Sequence, residues 1–196
     1  MKKKIFNTVV ILLIIALSLV GGLIYAGVSR KNQAKAYPIR YREQIEAEAA
    51  ARGIPVNTVY AVLKTCSDWN VSYEKDGKVG LYAMTEDKFV SVAARLNESR
   101  DTRLRWSPEV SIVFCVADLS DCLGSFTDKN AAFAALYGGK EKVSANVAAH
   151  GGKFSLSDTD EYTQNFVRKV TEALNIYNEL HPEGAAAPVP SGAANE

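Results

Sequence analysis

The stretch VYAVLKTCSDWN, residues 59–70, places three reactive side chains next to one another: the thiol of Cys66, the hydroxyl of Ser67 and the carboxylate of Asp68. A cysteine becomes a nucleophile when a neighbouring positive charge lowers its pKa. No His or Arg lies close to Cys66 in the sequence, which argues against a reactive thiol. A free cysteine is most often a small, buried, apolar side chain, and this is the simplest interpretation of Cys66.

Carboxylates around this stretch offer acid–base chemistry. A positioned carboxyl group can donate a proton and take one back during a reaction, and the candidates are Asp68, Glu74 and Glu86. Acidic residues in loops and first helical turns are more often solvated, so these three are alternatives to be weighed.

Tyrosines near the same region either stack on a bound sugar or, as is more usual at helical spacing, pack in the core. They are Tyr60, Tyr73, Tyr82 and Tyr137.

The sequence indicates no cofactor, metal or nucleic-acid site. The two histidines and three cysteines show no CxxC or HxxxH spacing, the usual signature of a metal site. The formal net charge is +1, and no basic stripe with interleaved aromatic residues is present, which argues against nucleic-acid binding.

Cys115 and Cys122 lie seven residues apart on a predicted helix, about 10 Å along its axis, which is too far for a disulfide between them.

The N-terminal residues 1–36 are typical of a basic cytoplasmic stub followed by a transmembrane signal anchor. No residue from Val9 to Val28 is charged, and a helix of that length spans the roughly 30 Å hydrocarbon core of a bilayer. The lysines at 2–4 predict a cytoplasmic N-terminus and an extracytoplasmic body, although the charges at 30, 31 and 35 weaken this asymmetry. A cleaved signal peptide, with AKA at 34–36 as its cleavage site, is the alternative.

Residues 37–182 carry the pattern of one mainly α-helical domain, and residues 183–196 form an Ala- and Pro-rich tail that we expect to be disordered. Helix starts are marked by Thr85 and by Ser107 followed by Pro108. The segment SPEVSIVFCVADLSDCL should bury one face of a helix, made by Ile112, Cys115, Leu119 and Cys122. A helix over NAAFAALYGG should end at its glycine pair, and DEYTQNFVRKVTEALNIYNEL is the longest amphipathic run.

In this order, the segments resemble the soluble lytic transglycosylase-like (SLT) family over nearly all of residues 37–180. YPIRYREQIEAEAAARGIPVNTVYAVLKTCSDWN is similar to the family's first helix and to its site helix ending in Glu-Ser-x-(Phe/Trp)-(Asn/Asp). VGLYAMTEDKF resembles the Gly-Leu-Met-Gln segment, SPEVSIVFCVADLSDCL the Asp-Pro-x-x-Asn-Ile helix, and AAFAALYGGKEKV the Ala-Tyr-Asn-x-Gly loop. The resemblance implies a lysozyme-like, mainly α fold that acts on peptidoglycan glycan strands.

The resemblance also implies a catalytic position. In such enzymes one glutamic acid protonates the glycosidic oxygen and then acts as the base that closes a 1,6-anhydro ring. By position that group is Cys66 here, followed by the matching Ser67. A thiol is shorter than a glutamic acid and hydrogen-bonds weakly. Further positions of the family's substrate-binding cleft are Gly80, Leu81, Tyr82, Ala83, Leu136, Tyr137 and Tyr162, of which Gly80 and Leu81 keep the family residue.

Three polar positions besides the acid have changed. Ala83 stands where the family has Gln, Leu136 where it has Tyr, and Tyr162 where it has Glu. We therefore expect a pseudoenzyme that binds glycan strands or an envelope partner. The alternatives are an active enzyme that uses another carboxylate and a purely protein-binding module of an envelope assembly. In the family the segments of Cys66 and Cys115 pack together, so the resemblance also allows a disulfide between them beside plain burial.

Overall fold

The computed structural model describes residues 27–187, and residues 1–26 and 188–196 lie outside the described part of the chain. The chain divides into two units, Met1–Pro38 and Ile39–Glu196. In the first unit residues 27–36 are helical (α1). Most of the predicted anchor lies outside the described residues. Among residues 27–187 no helix combines the length and the hydropathy that a membrane crossing requires, so the anchor stays a prediction.

The second unit is mainly α-helical, as the sequence predicts. Its α-helices among the described residues are α2 (Arg42–Ala51), α3 (Val56–Ser67), α4 (Glu86–Leu96), α5 (Pro108–Ser125), α6 (Lys129–Gly138), α7 (Lys140–Ala149) and α8 (Glu161–Leu180). Two short antiparallel strands, β1 (Glu74–Lys75) and β2 (Lys78–Val79), pair Glu74 with Val79 and Lys75 with Lys78. Short 3₁₀ helices cover Thr102–Trp106, Leu156–Asp158 and Pro182–Gly184.

The core is built around α3 and α5. Helix α3 packs chiefly on α8, and α5 contacts α2, α3, α4 and α6. The predicted inward face of α5 is confirmed, since Ile112, Cys115, Leu119 and Cys122 are all buried. Below the C-terminal end of α3, Trp69 is buried, and its indole Nε1 donates to the Tyr177 hydroxyl on α8 at 3.1 Å. This contact fixes the end of the helix that carries Cys66.

Both predicted N-caps are confirmed. The Thr85 hydroxyl accepts a hydrogen bond from the Lys88 backbone N–H at 3.3 Å, and α4 begins at the next residue. The Ser107 hydroxyl accepts from the Val110 N–H at 3.2 Å, with Pro108 as the first residue of α5. A side-chain oxygen at these positions satisfies an N–H group that has no partner inside the helix. These caps set the register of two helices that line the site.

One segment differs from its prediction. The sequence predicts no helix for the residues after the glycine pair, but Lys140–Ala149 form helix α7 directly after Gly139. Gly139 has φ +95° and ends α6 as predicted. In α7 only Val143 is buried. The segment therefore lacks the apolar stripe that indicates an amphipathic helix in a sequence. Its Ala-rich composition favours the helix without such a stripe.

The C-terminal residues begin inside the fold. The Asn57 side-chain amide on α3 donates to the His181 carbonyl oxygen at 2.7 Å and to Asn178 Oδ1 at 3.0 Å. The 3₁₀ helix Pro182–Gly184 follows at once. A Cβ placed on Gly184 would lie 2.4 Å from Asn57 Oδ1. The predicted disordered tail, residues 183–196, has only its first five residues in the described part, and its disorder stays a prediction.

The hairpin beside the site depends on two glycines in different surroundings. Asp76 and Gly77 both have positive φ, as expected for the two central residues of a tight hairpin turn. Gly80 also has positive φ, but a Cβ there would lie 1.9 Å from the Arg105 carbonyl oxygen, whereas a Cβ on Gly77 would meet no atom within 4 Å. Gly80 therefore lets the hairpin approach the 3₁₀ helix Thr102–Trp106.

Gly80→Ala should destabilise the domain much more than Gly77→Ala. Each substitution puts an alanine at positive φ, which costs about 1 kcal/mol. Only Gly80→Ala adds the overlap with the Arg105 carbonyl, worth about 1–3 kcal/mol more. Urea unfolding of both variants measures the difference. Equal losses of unfolding free energy would contradict the close approach at Gly80.

Candidate functional site

A cavity of about 680 Å³ lies between the β1–β2 hairpin and helices α3, α4, α5, α6 and α8. It brings together six of the site residues expected from the sequence, from four separate segments of the chain. They are Cys66, Tyr82, Ala83, Leu136, Tyr137 and Tyr162. The fold therefore gathers these positions around one cleft.

Three other expected site residues do not line this cavity. Ser67 is buried, and its hydroxyl donates to the Leu63 carbonyl oxygen at 3.4 Å within α3. Leu81 is fully buried, and Gly80 is held against Arg105 as described above. In the described structure these three residues contact other parts of the domain and do not face the cavity. They therefore support the cleft wall without forming its surface.

Cys66 lies in the last turn of α3, is partly buried and contributes to the cavity wall. Burial raises the pKa of its thiol to about 12, and the positive charges of Lys88 and Lys78 offset only part of that effect. The thiol therefore stays protonated at neutral pH. A thiolate nucleophile at this position is not supported.

The chain's three cysteines are all free thiols. Cys115 and Cys122 are buried on α5, and burial raises both of their pKa values. The disulfide that the resemblance allows between Cys66 and Cys115 is absent, and plain burial describes the cysteines. Within residues 27–187 no cluster of His, Cys, Asp and Glu side chains is arranged to hold a metal ion.

The floor of the cavity is an ion network centred on Asp118, which sequence reasoning missed. The Asp118 side chain on α5 is only 14% exposed. It accepts a hydrogen bond from the Tyr82 hydroxyl at 2.8 Å and pairs with Lys88 Nζ at 2.9 Å and Arg95 Nη2 at 3.1 Å. Lys88 Nζ also donates to the Leu136 carbonyl oxygen at 2.5 Å and lies 4.8 Å from the centre of the Tyr82 ring. Three segments thus meet at one carboxylate, and Lys88 links a fourth segment, the end of α6, to them.

Asp118 is a fixed anion. Burial by itself would raise the pKa of its carboxyl group, but Lys88, the Tyr82 hydroxyl and Arg95 together hold the pKa below its usual value. A general acid must be protonated near neutral pH before it can donate. Asp118 therefore holds the cleft together and is unsuited to deliver a proton.

The three carboxylates proposed from the sequence lie outside the cavity lining. Asp68 is exposed and paired with Lys64, and Glu86 is exposed and paired with Arg105 at 3.6 Å. Glu74 is exposed on β1. Among the described residues, the carboxylates in the lining are Asp118 and the exposed hairpin residue Asp76.

The tyrosines divide into core and cleft residues. Tyr60 is buried in the core, and Tyr82 is buried with its hydroxyl on Asp118. Tyr137 is 37% exposed and Tyr162 is 75% exposed, and both line the cavity. The Tyr137 ring stacks on Phe166 with 4.9 Å between ring centres. Exposed aromatic rings of this kind are suited to the apolar face of a sugar ring.

The fold and the cleft place the chain in a known class of domains. The model of the transglycosylase SLT domain family matches residues 43–155, more than half of the chain, and the protein belongs to this family. No curated protein is significantly similar to the whole chain.

Two solved structures have the same fold. The 70 kDa soluble lytic transglycosylase from Escherichia coli superposes with a TM-score of 0.71 at 16% identity, over 80% of this chain and 27% of that one. An inactive mutant of the lytic transglycosylase Slt from Pseudomonas aeruginosa gives a TM-score of 0.62 at 20% identity, over 78% of this chain and 26% of that one. The predicted mainly helical, lysozyme-like lytic transglycosylase fold is confirmed. The chain spans about a quarter of the length of these two proteins.

Asp118→Asn should destabilise the domain at neutral pH by about 3 kcal/mol, because it leaves Lys88 and Arg95 facing a neutral amide. The folded-state pKa of Asp118 lies below its unfolded value, which is about 3.9. Its contribution is therefore fully present above pH 4 and is lost as the pH falls through the folded-state pKa. At low pH the natural domain and the Asp118→Asn variant should therefore have similar free energies of unfolding.

Asp121→Asn is the matched control. Asp121 pairs with Arg95 and Lys140 on the same network, but its side chain is 38% exposed, so its loss should cost below about 1 kcal/mol. Urea unfolding followed between pH 7 and pH 3 compares the two variants. An Asp118→Asn domain as stable as the natural one at pH 7 would contradict the network.

Proposed function

We propose that this protein binds peptidoglycan glycan strands in the cleft and does not cleave them. The observation that carries the proposal is the chemistry of the cavity lining. At the position of the family's acid stands Cys66, a thiol with a pKa of about 12, and the partly buried carboxylate nearby, Asp118, is a paired anion. Neither group can donate a proton and then take it back near neutral pH.

A lytic enzyme of this kind would need the acid that position 66 lacks. A positioned general acid or base contributes about 10²- to 10⁴-fold in rate. The Pseudomonas aeruginosa structure is that of an inactive mutant in which a glutamate is replaced by glutamine, so a relative loses activity when one carboxyl group becomes an amide. In the present chain Ala83 and Leu136 also lack the polar groups found in the family. These changes together support a binding domain over an enzyme.

The cleft retains what a glycan needs for binding. Its volume of about 680 Å³ lies in the range of sites that accept small ligands. Tyr137 and Tyr162 expose rings to it, and charged side chains surround them. An active enzyme that uses another carboxylate is less well supported, because Asp68, Glu74 and Glu86 lie outside the lining. A purely protein-binding role predicts no affinity for glycan strands.

Membrane anchoring is a part of the proposal that rests on the sequence. The uncharged run from Val9 to Val28 and the preceding lysines at 2–4 support a single-pass protein in the cell membrane with its domain outside. The full chain should remain with membranes after salt and carbonate washing. A processed protein released into the medium, with a new N-terminus near Tyr37, would contradict the anchor.

Restoring the acid alone should not restore lysis. A carboxylate introduced by Cys66→Glu would face Lys88 and Lys78, the charges that already act on the thiol, and they would favour its ionised form. Positioning groups would still be absent, and a misplacement of about 1 Å can cost around 10²-fold. We expect no 1,6-anhydromuropeptides from the natural protein, traces from Cys66→Glu, and more when Ala83→Gln and Leu136→Tyr are added.

The measurement is digestion of purified sacculi with separation of the soluble products by mass, accompanied by sedimentation of the protein with sacculi. The natural protein should sediment with sacculi and release nothing. Robust release of 1,6-anhydromuropeptides by the natural protein would overturn the pseudoenzyme proposal. If the natural protein did not sediment with sacculi, glycan binding would be overturned. A purely protein-binding module would then be the better explanation.

A further inference from the structure

The cations around the cleft fall into two groups. Lys88, Arg95 and Lys140 line the cavity and are paired with Asp118 or Asp121. A second group lines the same cavity and has no carboxylate within 4 Å among residues 27–187; it consists of Lys75, Lys78 and Lys169. The floor is thus neutralised by carboxylates, whereas the hairpin side of the cleft carries two lysines against the single carboxylate of Asp76, and Lys169 adds a positive charge on the α8 side.

Lys78 is the most constrained lysine of this second group. It is partly buried on β2, and its ammonium nitrogen lies 4.2 Å from the centre of the Tyr137 ring. A cation over an aromatic face is held by the ring's electron density, and Tyr137 is itself stacked on Phe166. The charge of Lys78 also lowers the pKa of Cys66 against the effect of burial. The ammonium group is therefore held at the wall of the same cavity that Cys66 lines.

We propose that the cleft selects glycan strands that carry free carboxylates, and that Lys78 is the residue that receives the carboxylate beside Cys66. This inference rests on the proposed glycan-binding function and names its substrate class. An ammonium and a carboxylate form a charge-assisted hydrogen bond, which is stronger than a neutral one. Lys75 and Lys169 add a long-range attraction for an anionic strand.

The lining favours an acidic glycan over other polyanions. A phosphate polymer would satisfy the lysines but would leave the exposed rings of Tyr137 and Tyr162 in water. A sugar strand with carboxylate substituents uses both features, because a pyranose face can stack on the Tyr162 ring, which is 75% exposed, and the acid groups reach the lysines. In peptidoglycan the carboxylate has two sources, the lactyl group of peptide-free strands and the acid groups of the stem peptides.

The test compares glycans that differ only in charge, using the full chain and equilibrium binding. The probes are peptide-free glycan strands, the same strands with their carboxylates converted to amides, and stem-peptide-bearing strands before and after the same amidation. One charge-assisted hydrogen bond corresponds to about a 10-fold difference in Kd. We expect the strand whose carboxylate reaches Lys78 to bind about 10-fold tighter than its amidated form. The pair of strands that shows the larger ratio identifies the source of the carboxylate.

Lys78→Gln should remove most of this difference, because it should weaken the binding of acidic strands by more than the binding of amidated strands. Lys153→Gln is the matched control, because Lys153 is exposed and does not line the cavity. Equal binding of acidic and amidated strands would overturn the charge selectivity but leave the proposed function intact. Absence of binding to every strand would overturn both proposals. A Lys78→Gln variant that loses affinity for all strands equally, or tight binding of a glycerol phosphate polymer, would also overturn the inference.

Discussion

The cleft is organised by one partly buried carboxylate. Asp118 on α5 receives the Tyr82 hydroxyl from the segment after the hairpin and both cationic side chains of α4, Lys88 and Arg95. Lys88 then reaches the Leu136 carbonyl at the end of α6. Removing one member of such a partly buried charge network leaves another charge without a partner, which is costly. The floor of the cavity therefore has one arrangement in which all of its charges are satisfied.

This arrangement would disfavour a protonated carboxyl group at position 66. A carboxyl group at position 66 would share Lys88 with Asp118, and the ion pairing would favour its charged form. A neutral thiol at Cys66 does not compete for an ion pair with Lys88. Lys88 can therefore contact Asp118, the Leu136 carbonyl and the Tyr82 ring at the same time. The thiol at position 66 and the ion network at Asp118 are thus electrostatically compatible.

Local signals in the sequence predict much of the fold. Thr85 and Ser107 mark helix starts because a cap is a contact between residues three apart. Helix α7 was missed because Lys140–Ala149 bury only Val143 and show no apolar stripe. The resemblance predicts which segments meet at the cleft, but not that Asp118 is its floor. Asp118 lies 30 residues from Lys88 and 36 from Tyr82 in the chain, and no local pattern reveals a contact between residues so far apart.

The proposal is that the cleft binds a glycan strand without cleaving it. The most direct test is a crystal structure of the full chain with a peptidoglycan tetrasaccharide. We expect an uncut strand that lies across the cleft over Cys66, with a sugar ring against Tyr162 and the Asp118 network unchanged. A 1,6-anhydro product in the cleft would contradict the absence of catalysis. A cleft that stays empty at saturating tetrasaccharide would contradict glycan binding itself.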